Sequence, residues 1–334
     1  MVYESGILVL GEVDDSGKLA SSTRALCGLA NGLAVSLGAE VCAALLGSGV
    51  QDAAEELAAC GPARVLVAED ETLSVYNPDI HLPLIKSLCE SEGPRVVLVA
   101  HSTMGQDLAP RLSYEIGGGV VTDCVGISAD GGAMRCSKPI YGGNVIAGYS
   151  ATVAPLVVTV RSGVGDAPAP GAHPAGTVEA LGAEVPTTVR AQVKERIRET
   201  GEEISLEEAP AVISGGRGMG GPEGFGDLSK LAGVLGAAVG ASRPPVDSGW
   251  VPSTSQVGIT GKIISPELYV AVAISGSSQH LSGMADSRTV VAINNDPDAY
   301  IFKVSDYGVV GDWRSVLPAF TEKLAGLLKG GEQQ

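Results

Sequence analysis

Short runs of Val, Ile and Leu recur along the first half of the chain, each closed by Gly, Pro or a charged residue. Ile7–Val13, Val41–Leu46, Arg64–Ala68, Arg95–Ala100 and Leu156–Val160 read as strands on this pattern. Between them, apolar positions at helical spacing predict helices over Ser22–Leu37, Ala53–Ala59, Pro78–Cys89 and Gln106–Ile116, the last stopped by Gly117-Gly118-Gly119. Strands alternating with helices predict a mostly parallel sheet covered on both faces. Val120–Tyr149 breaks the rhythm with Gly131-Gly132 and Gly142-Gly143, and reads as a meander or hairpin. Gly163–Gly176 is rich in Gly, Ala and Pro and reads as a surface loop.

A charge-dense stretch, Val193–Ala209, separates this pattern from a second one. The boundary is placed at 207/208, giving domains 1–207 and 208–334. The second domain opens with the strand Ala211-Val212-Ile213. A helix follows with Leu228, Leu231, Ala232, Leu235 and Val239 on one face, then a strand ending near Gly240. Leu268–Ile274 and Thr289–Ile293 are further strands, and a C-terminal helix is expected near Trp313–Leu328, with Pro318 starting or kinking it. The fold class is α/β: two α/β domains with mostly parallel sheets, the C-terminal one Rossmann-like.

Composition sharpens this. At 334 residues the chain exceeds what one core usually serves, and 45% hydrophobic against 18% charged residues supplies material for two. A net charge of −16 excludes nucleic acid and a polybasic membrane contact. The six cysteines show no C-x-x-C and no ligand spacing, so buried free thiols, no metal and a reducing compartment are expected. The N-terminus has no signal-peptide pattern and no apolar run reaches membrane-spanning length, so the expectation is a cytoplasmic protein without membrane insertion.

Gly216-x-Gly218-x-x-Gly221 follows a strand and precedes a helix, the context in which backbone N–H groups cradle a pyrophosphate. The acidic ribose ligand expected about 20 residues on is missing, because Gly236-Ala237-Ala238 stands there. A tight turn explains the glycines equally well. Arg217 inside the cluster adds a fork of donors suited to a phosphate or flavin edge. Residues 241–262 form a long loop of small, hydroxylated and basic residues after a strand, at the edge where open α/β sheets bind ligands. Ile274-Ser275-Gly276-Ser277-Ser278-Gln279-His280 is a second such loop. A lone His280 is more often a core or surface histidine, by roughly three to one. Asn294 and Asp312 can cap turns as readily as hold a nucleotide.

Together, residues 215–221, 241–262, 274–284, 289–296 and 305–312 closely resemble the C-terminal signature of electron-transfer flavoprotein alpha (large) subunits. Asp107-Leu-Ala-Pro-Arg111, Asp123-Cys124 and Lys138-Pro-Ile-Tyr-Gly-Gly-Asn144 extend the likeness more loosely over the first domain. The resemblance implies FAD laid across the second domain and the first domain packed against a beta subunit. It implies cofactor contacts from Arg217, Ser242 and Arg243, with Arg243 beside the isoalloxazine. The loop Gln256, Val257, Gly258, Ile259, Thr260 and Gly261 would run along the ring, the Thr260 hydroxyl near N5. Ser275, Gly276, Ser277, Ser278, Gln279 and His280 would serve the pyrophosphate and flavin pyrimidine, His280 near the C2 carbonyl. Asn294 and Asp312 would hold the adenosine end. Two departures stand out: Ile259 replaces the family's usual Gln, and Ser277-Ser278 its common Ala-Ile.

Negative charge on a reduced flavin gathers over N1 and the C2 oxygen, and Arg243 with His280 is the pair on these loops suited to stabilise it. The resemblance further implies a redox carrier, with no catalytic residue of its own, linking an acyl-CoA dehydrogenase type donor of fatty acid β-oxidation to a membrane quinone oxidoreductase or other acceptor. Three alternatives stand beside it: a bifurcating complex coupled to NADH and ferredoxin or flavodoxin, a nicotinamide-dependent dehydrogenase, and a non-redox adenine-nucleotide regulator. The cysteine spacing offers no iron–sulfur site for any of them.

Overall fold

The computed structural model describes residues 6–14, 16–130, 133–141, 143, 145–182, 184–194, 205–207 and 209–331. The chain divides into two compact units, Met1–Ile197 and Arg198–Gln334. The expected boundary at 207/208, Gly131-Gly132, Gly142 and Asn144 touch or fall on positions outside the described residues.

Unit 1 runs β1 (Ile7–Gly11), α1 (Ser21–Leu37), β2 (Val41–Gly47), α2 (Gln51–Ala58), β3 (Arg64–Glu69), α3 (Pro78–Glu92), β4 (Val96–Ala100), α4 (Thr103–Glu115) and β5 (Gly119–Cys124). It continues with β6 (Gly126–Asp130), β7 (Ala133–Ile140), β8 (Val145–Ala151), β9 (Leu156–Val160) and β10 (Thr177–Ala180). Seven strands form a parallel sheet in the order β10-β3-β2-β1-β4-β9-β5. Successive side chains on a strand face opposite ways, so a strand covered on both faces is apolar throughout. In β1, Ile7 and Val9 join one core with Leu26 and Leu57, while Leu8 and Leu10 join another with Leu88 and Leu108. The irregular stretch after β5 is an antiparallel meander, β6-β7-β8.

Unit 2 comprises β11 (Ala211–Gly215), α5 (Glu223–Leu235), β12 (Ala238–Ala241), α6 (Arg243–Asp247), β13 (Leu268–Val272), α7 (Ser278–Leu281), β14 (Thr289–Asn294), β15 (Tyr307–Val310) and α8 (Trp313–Gly331). The sheet is parallel, ordered β12-β11-β13-β14-β15. Gly236, at φ 60°, ends α5, so Val239 belongs to β12 and not to the helix face first assigned to it. Leu228 and Leu231 of α5 pack with Val270 and Val272 of β13, and Leu317 of α8 joins them. Leu228→Ala would open this core at about 2–5 kcal/mol. Helix α8 begins at Trp313 and continues through Pro318, which therefore does not start it. The six cysteines are free thiols, five of them buried. Among the described residues no helix is long and apolar enough to cross a membrane, and no His, Cys, Asp and Glu cluster suits a metal ion.

Candidate cofactor site

In the unit 2 sheet the chain leaves β11 for β12 on one side and reaches β13 on the other. The C-terminal ends of β11 and β13 therefore flank a switch point, where open α/β sheets leave a crevice. The seventeen residues singled out from the sequence lie on the connections that follow these strands, some of them in short helices such as α6 and α7, with Asn294 the last residue of β14.

The turn after β11 is docked onto β13 by backbone. Gly216 donates to the Val272 carbonyl (2.9 Å) and Gly218 to that of Ala273 (3.3 Å). A Cβ at Gly216 would overlap the Ala273 carbonyl oxygen, and one at Gly218 would stand 2.9 Å from the Ala273 Cβ. The glycines are thus required by close approach of two backbones. Ala273 itself is left-handed, at φ 54°, which is strain of about 1–2 kcal/mol for a residue with a Cβ. Arg217 projects exposed between the two glycines.

After β12, buried Ser242 donates its N–H to the Gly215 carbonyl (3.0 Å), and exposed Arg243 meets Asp247 at 3.2 Å. The chain returns through Val257, whose N–H donates to the Ala241 carbonyl (2.8 Å). The loop 257–261 is then closed on itself by Gly258 N–H to Lys262 O (3.0 Å) and Lys262 N–H to Gln256 O (2.6 Å). Gln256 is buried, and its Nε2 donates to Thr260 Oγ1 at 2.9 Å. The Thr260 oxygen accepts there, so its own proton stays free to donate outward. Ile259 anchors the loop by backbone, to Gln279 O at 2.9 Å, while its side chain is exposed. No amide side chain stands in its place.

After β13, Gly276 is left-handed (φ 84°), and a Cβ there would overlap the Ile301 backbone nitrogen. Among the described residues nothing accepts from the N–H groups of Ser275, Gly276 and Ser277. Consecutive unpaired N–H groups around a left-handed residue make a concave anion nest. Ser277, Ser278 and Gln279 are exposed beside it.

His280 turns the other way. Its ring is buried, with Nδ1 3.0 Å from the Val257 carbonyl and Nε2 2.9 Å from the Tyr269 hydroxyl. A carbonyl can only accept, so Nδ1 carries the proton and Tyr269 O–H donates to Nε2. Burial lowers the His280 pKa to about 4, against a smaller opposing pull from the Val257 carbonyl. The neutral ring has no N–H left to give. The expectation that His280 donates to a flavin C2 carbonyl is therefore corrected: in this arrangement it clamps the 257–261 loop to β13. Burial also raises the Tyr269 pKa, keeping its phenol protonated.

At the far side of the sheet, Asn294 is buried, donating from Nδ2 to Ile274 O (2.8 Å) and accepting from Asp296 N–H (3.0 Å). Asp312 accepts from the Arg314 N–H at 2.9 Å at the start of α8. Gly218, Ala273, Asn294, Asp312, Trp313 and Arg314 line a crevice here. Ala273, Asn295, Trp313 and Arg314 were not anticipated. Nothing in composition marks a left-handed alanine, whereas Trp313 and Arg314 could have been found as neighbours of Asp312.

These features fit FAD. From β12 to β15 the edge spans four strand spacings, about 19 Å, matching an extended dinucleotide. The loop after β12 offers a free hydroxyl and a cation, the connection after β13 offers N–H groups without acceptors among the described residues, and Asn294 and Asp312 stand at the crevice by β14 and β15.

Comparison with known proteins shows the family and its cofactor. The electron transfer flavoprotein domain matches residues 7–186, and the electron transfer flavoprotein FAD-binding domain matches residues 205–285. The chain belongs to the electron transfer flavoprotein alpha-subunit family. The protein of that name from Bacillus subtilis (strain 168) is 38% identical over 317 residues, covering 95% of this chain and 96% of its own. That of Megasphaera elsdenii is 39% identical over 327 residues, covering 96% of each chain. That of Paracoccus denitrificans is 38% identical over 320 residues, covering 95% of this chain and 99% of its own. The chain is thus an electron-transport flavoprotein subunit whose cofactor is FAD, and its family implies a beta-subunit partner. Asn294 and Asp312 lie beyond the FAD-binding match, which ends at residue 285.

Proposed function

We propose that this chain, paired with its beta subunit, holds FAD along the C-terminal edge of the unit 2 sheet and carries electrons from an acyl-CoA dehydrogenase type donor to a membrane quinone oxidoreductase. The observation carrying the placement is the nest at Ser275–Ser277 between a ring-side loop and an adenosine-side crevice. When bound, FAD supplies the redox chemistry. This chain's residues bind, orient and tune. Thr260, oriented by Gln256, presents a hydroxyl proton to the ring at N5. Arg243 brings a permanent cation to the ring side, where it must exchange Asp247 for the flavin. Arg217 and the nest hold phosphate, and Asn294 and Asp312 the adenosine. His280 holds the ring-side loop in place.

Unit 1 serves assembly in this reading. Val145, Ile146 and Tyr149 of β8 are exposed apolar residues on one small sheet, which supports a partner surface. The net charge of −16 supports long-range capture of carriers with basic faces.

The test is anaerobic reduction of the purified alpha–beta complex. Bleaching of the oxidised flavin bands by acyl-CoA plus its dehydrogenase, and their return with a quinone oxidoreductase, is the expected result. Rapid reduction by NADH instead would replace this reading with the bifurcating one.

A further inference from the structure

Arg314 stands at the crevice between the turn after β11 and the start of α8, and no role in cofactor binding has so far been given to it. We propose that Arg314 is a contact for the adenosine-diphosphate half of FAD, acting at the end of the sheet remote from the ring-side loop. The proposal rests on the placement of FAD along the C-terminal edge argued above.

Three observations carry it. Arg314 lines the crevice together with Gly218, Asn294 and Asp312. Its guanidinium carbon lies 4.8 Å from the centre of the Trp313 ring. Trp313 is itself fixed: it is buried, and its indole N–H donates to the Gly218 carbonyl at 3.2 Å. The guanidinium is thereby stacked on a platform tied to the glycine turn, and a Cβ at Gly220 would come within 3.3 Å of one of its terminal nitrogens. It spans from the start of α8 to the turn after β11.

A stacked, planar guanidinium has lost much of its freedom already, so less is lost when a ligand engages it. Its ion pair with Asp312 is long, 3.5 Å, with both side chains exposed, and occupies a minority of its five N–H donors. The donors left over belong to a residue that lines the crevice. Strand order points to the half of the cofactor they meet: the crevice is lined by the turn after β11 and by residues at the ends of β13, β14 and β15, whereas the ring-side loop follows β12 at the opposite edge.

The experiment uses the deflavinated alpha–beta complex, titrated with FAD and separately with FMN, in wild type, Arg314→Ala and Arg314→Lys. Arg314→Ala is expected to weaken FAD at least tenfold, with Arg314→Lys between it and wild type, because lysine keeps the charge and loses the stacked fork. FMN, which lacks the adenosine half, should bind all three within twofold, and the potential of bound FAD should be unmoved. An FAD affinity within twofold of wild type in Arg314→Ala overturns the proposal, as does an equal loss for FMN, which would put Arg314 at the flavin half. A wild-type complex that binds no FAD overturns the site placement and this proposal with it. Arg314 is exposed, so its replacement leaves the core intact.

Discussion

The two units build parallel sheets of the same kind and finish their C-terminal edges in opposite ways. In unit 1 the polar side chains at that edge are bound to one another. Arg161 grips Asp123 through two bonds of 2.8 Å, and the side chains are only 10% and 19% exposed. Asp123, left-handed at φ 60°, donates its N–H to Thr159 Oγ1 (2.9 Å), and that hydroxyl is hydrogen-bonded to His101 Nδ1 (2.7 Å). His101 Nε2 lies 3.8 Å from an Asp123 carboxylate oxygen. Burial lowers the His101 pKa, Asp123 pulls it back up, and Arg161 and Lys138 push it down again. In unit 2 the corresponding edge is left open: Arg217, Thr260, Ser275, Gln279 and Asp312 are exposed, and a run of N–H groups lacks acceptors among the described residues. One fold therefore yields a sealed edge or a ligand edge, and side chains decide which.

The largest effect should come from breaking the sealed edge. Arg161→Ala leaves Asp123 without its main partner in a poorly solvated place, and removing one member of such a pair costs about 3–5 kcal/mol. Urea unfolding should show unit 1 losing stability on that scale while FAD affinity in unit 2 is held. A loss below 1 kcal/mol would mean that this cluster is solvated and the contrast between the edges is wrong.

On the open edge, Gly276→Ala comes next. It places a Cβ against the Ile301 backbone at a left-handed residue, so the nest must distort. FAD binding should weaken more than a hundredfold, whereas Gly233→Ala, in open space on α5, should gain up to about 1 kcal/mol of stability and bind FAD normally. Equal FAD affinity in both variants would remove the nest from the site.

A smaller effect separates His280 from the ligand residues. Its folded pKa, about 4, lies below the ordinary imidazole value of 6.5. Between these values the unfolded chain binds the proton better, so stability is full above 6.5 and is lost as pH falls toward 4, by as much as ~3 kcal/mol. Thermal melts of wild type and His280→Asn from pH 7.5 to 4.5 should show the variant with the flatter slope. Parallel slopes would mean that the ring is solvated or already charged.

Much of this was legible in the sequence, for physical reasons. Strands β1, β4 and β9 are buried on both faces and read as apolar runs, broken only by Thr159 in β9. Strands β10 and β15 are short, mostly exposed edges, of which only Val178 packs against a core, so little in their pattern announced them. β13 stops at Val272, two residues early, because Ala273 turns left-handed. The binding loops were legible because glycines and hydroxyls follow strands. The orientation of His280 was not, because its partner Tyr269 is a buried residue on a different element, β13.

The smallest stability effect is the one that most sharpens the comparison. Arg243, unlike Arg161, is 65% exposed at the side chain, as Asp247 is at 60%. Such exposed pairs contribute about 0–1 kcal/mol, so Arg243→Ala should leave unfolding nearly unchanged. If Arg243 lies by the flavin ring as proposed, its charge favours the anionic, reduced form, and a charge-assisted hydrogen bond there is worth about 1.5–3 kcal/mol. The one-electron potential of bound FAD should then fall by roughly 60 mV or more, since 59 mV is a tenfold change for one electron. Arginine stays charged across the accessible range, so the shift should be the same at pH 6 and pH 8. Arg161→Ala should move stability and leave the potential alone, and Arg243→Ala the reverse. Should Arg243→Ala destabilise the fold by 2 kcal/mol with the potential unmoved, this arginine belongs to the scaffold, and the open edge is less open than its geometry indicates.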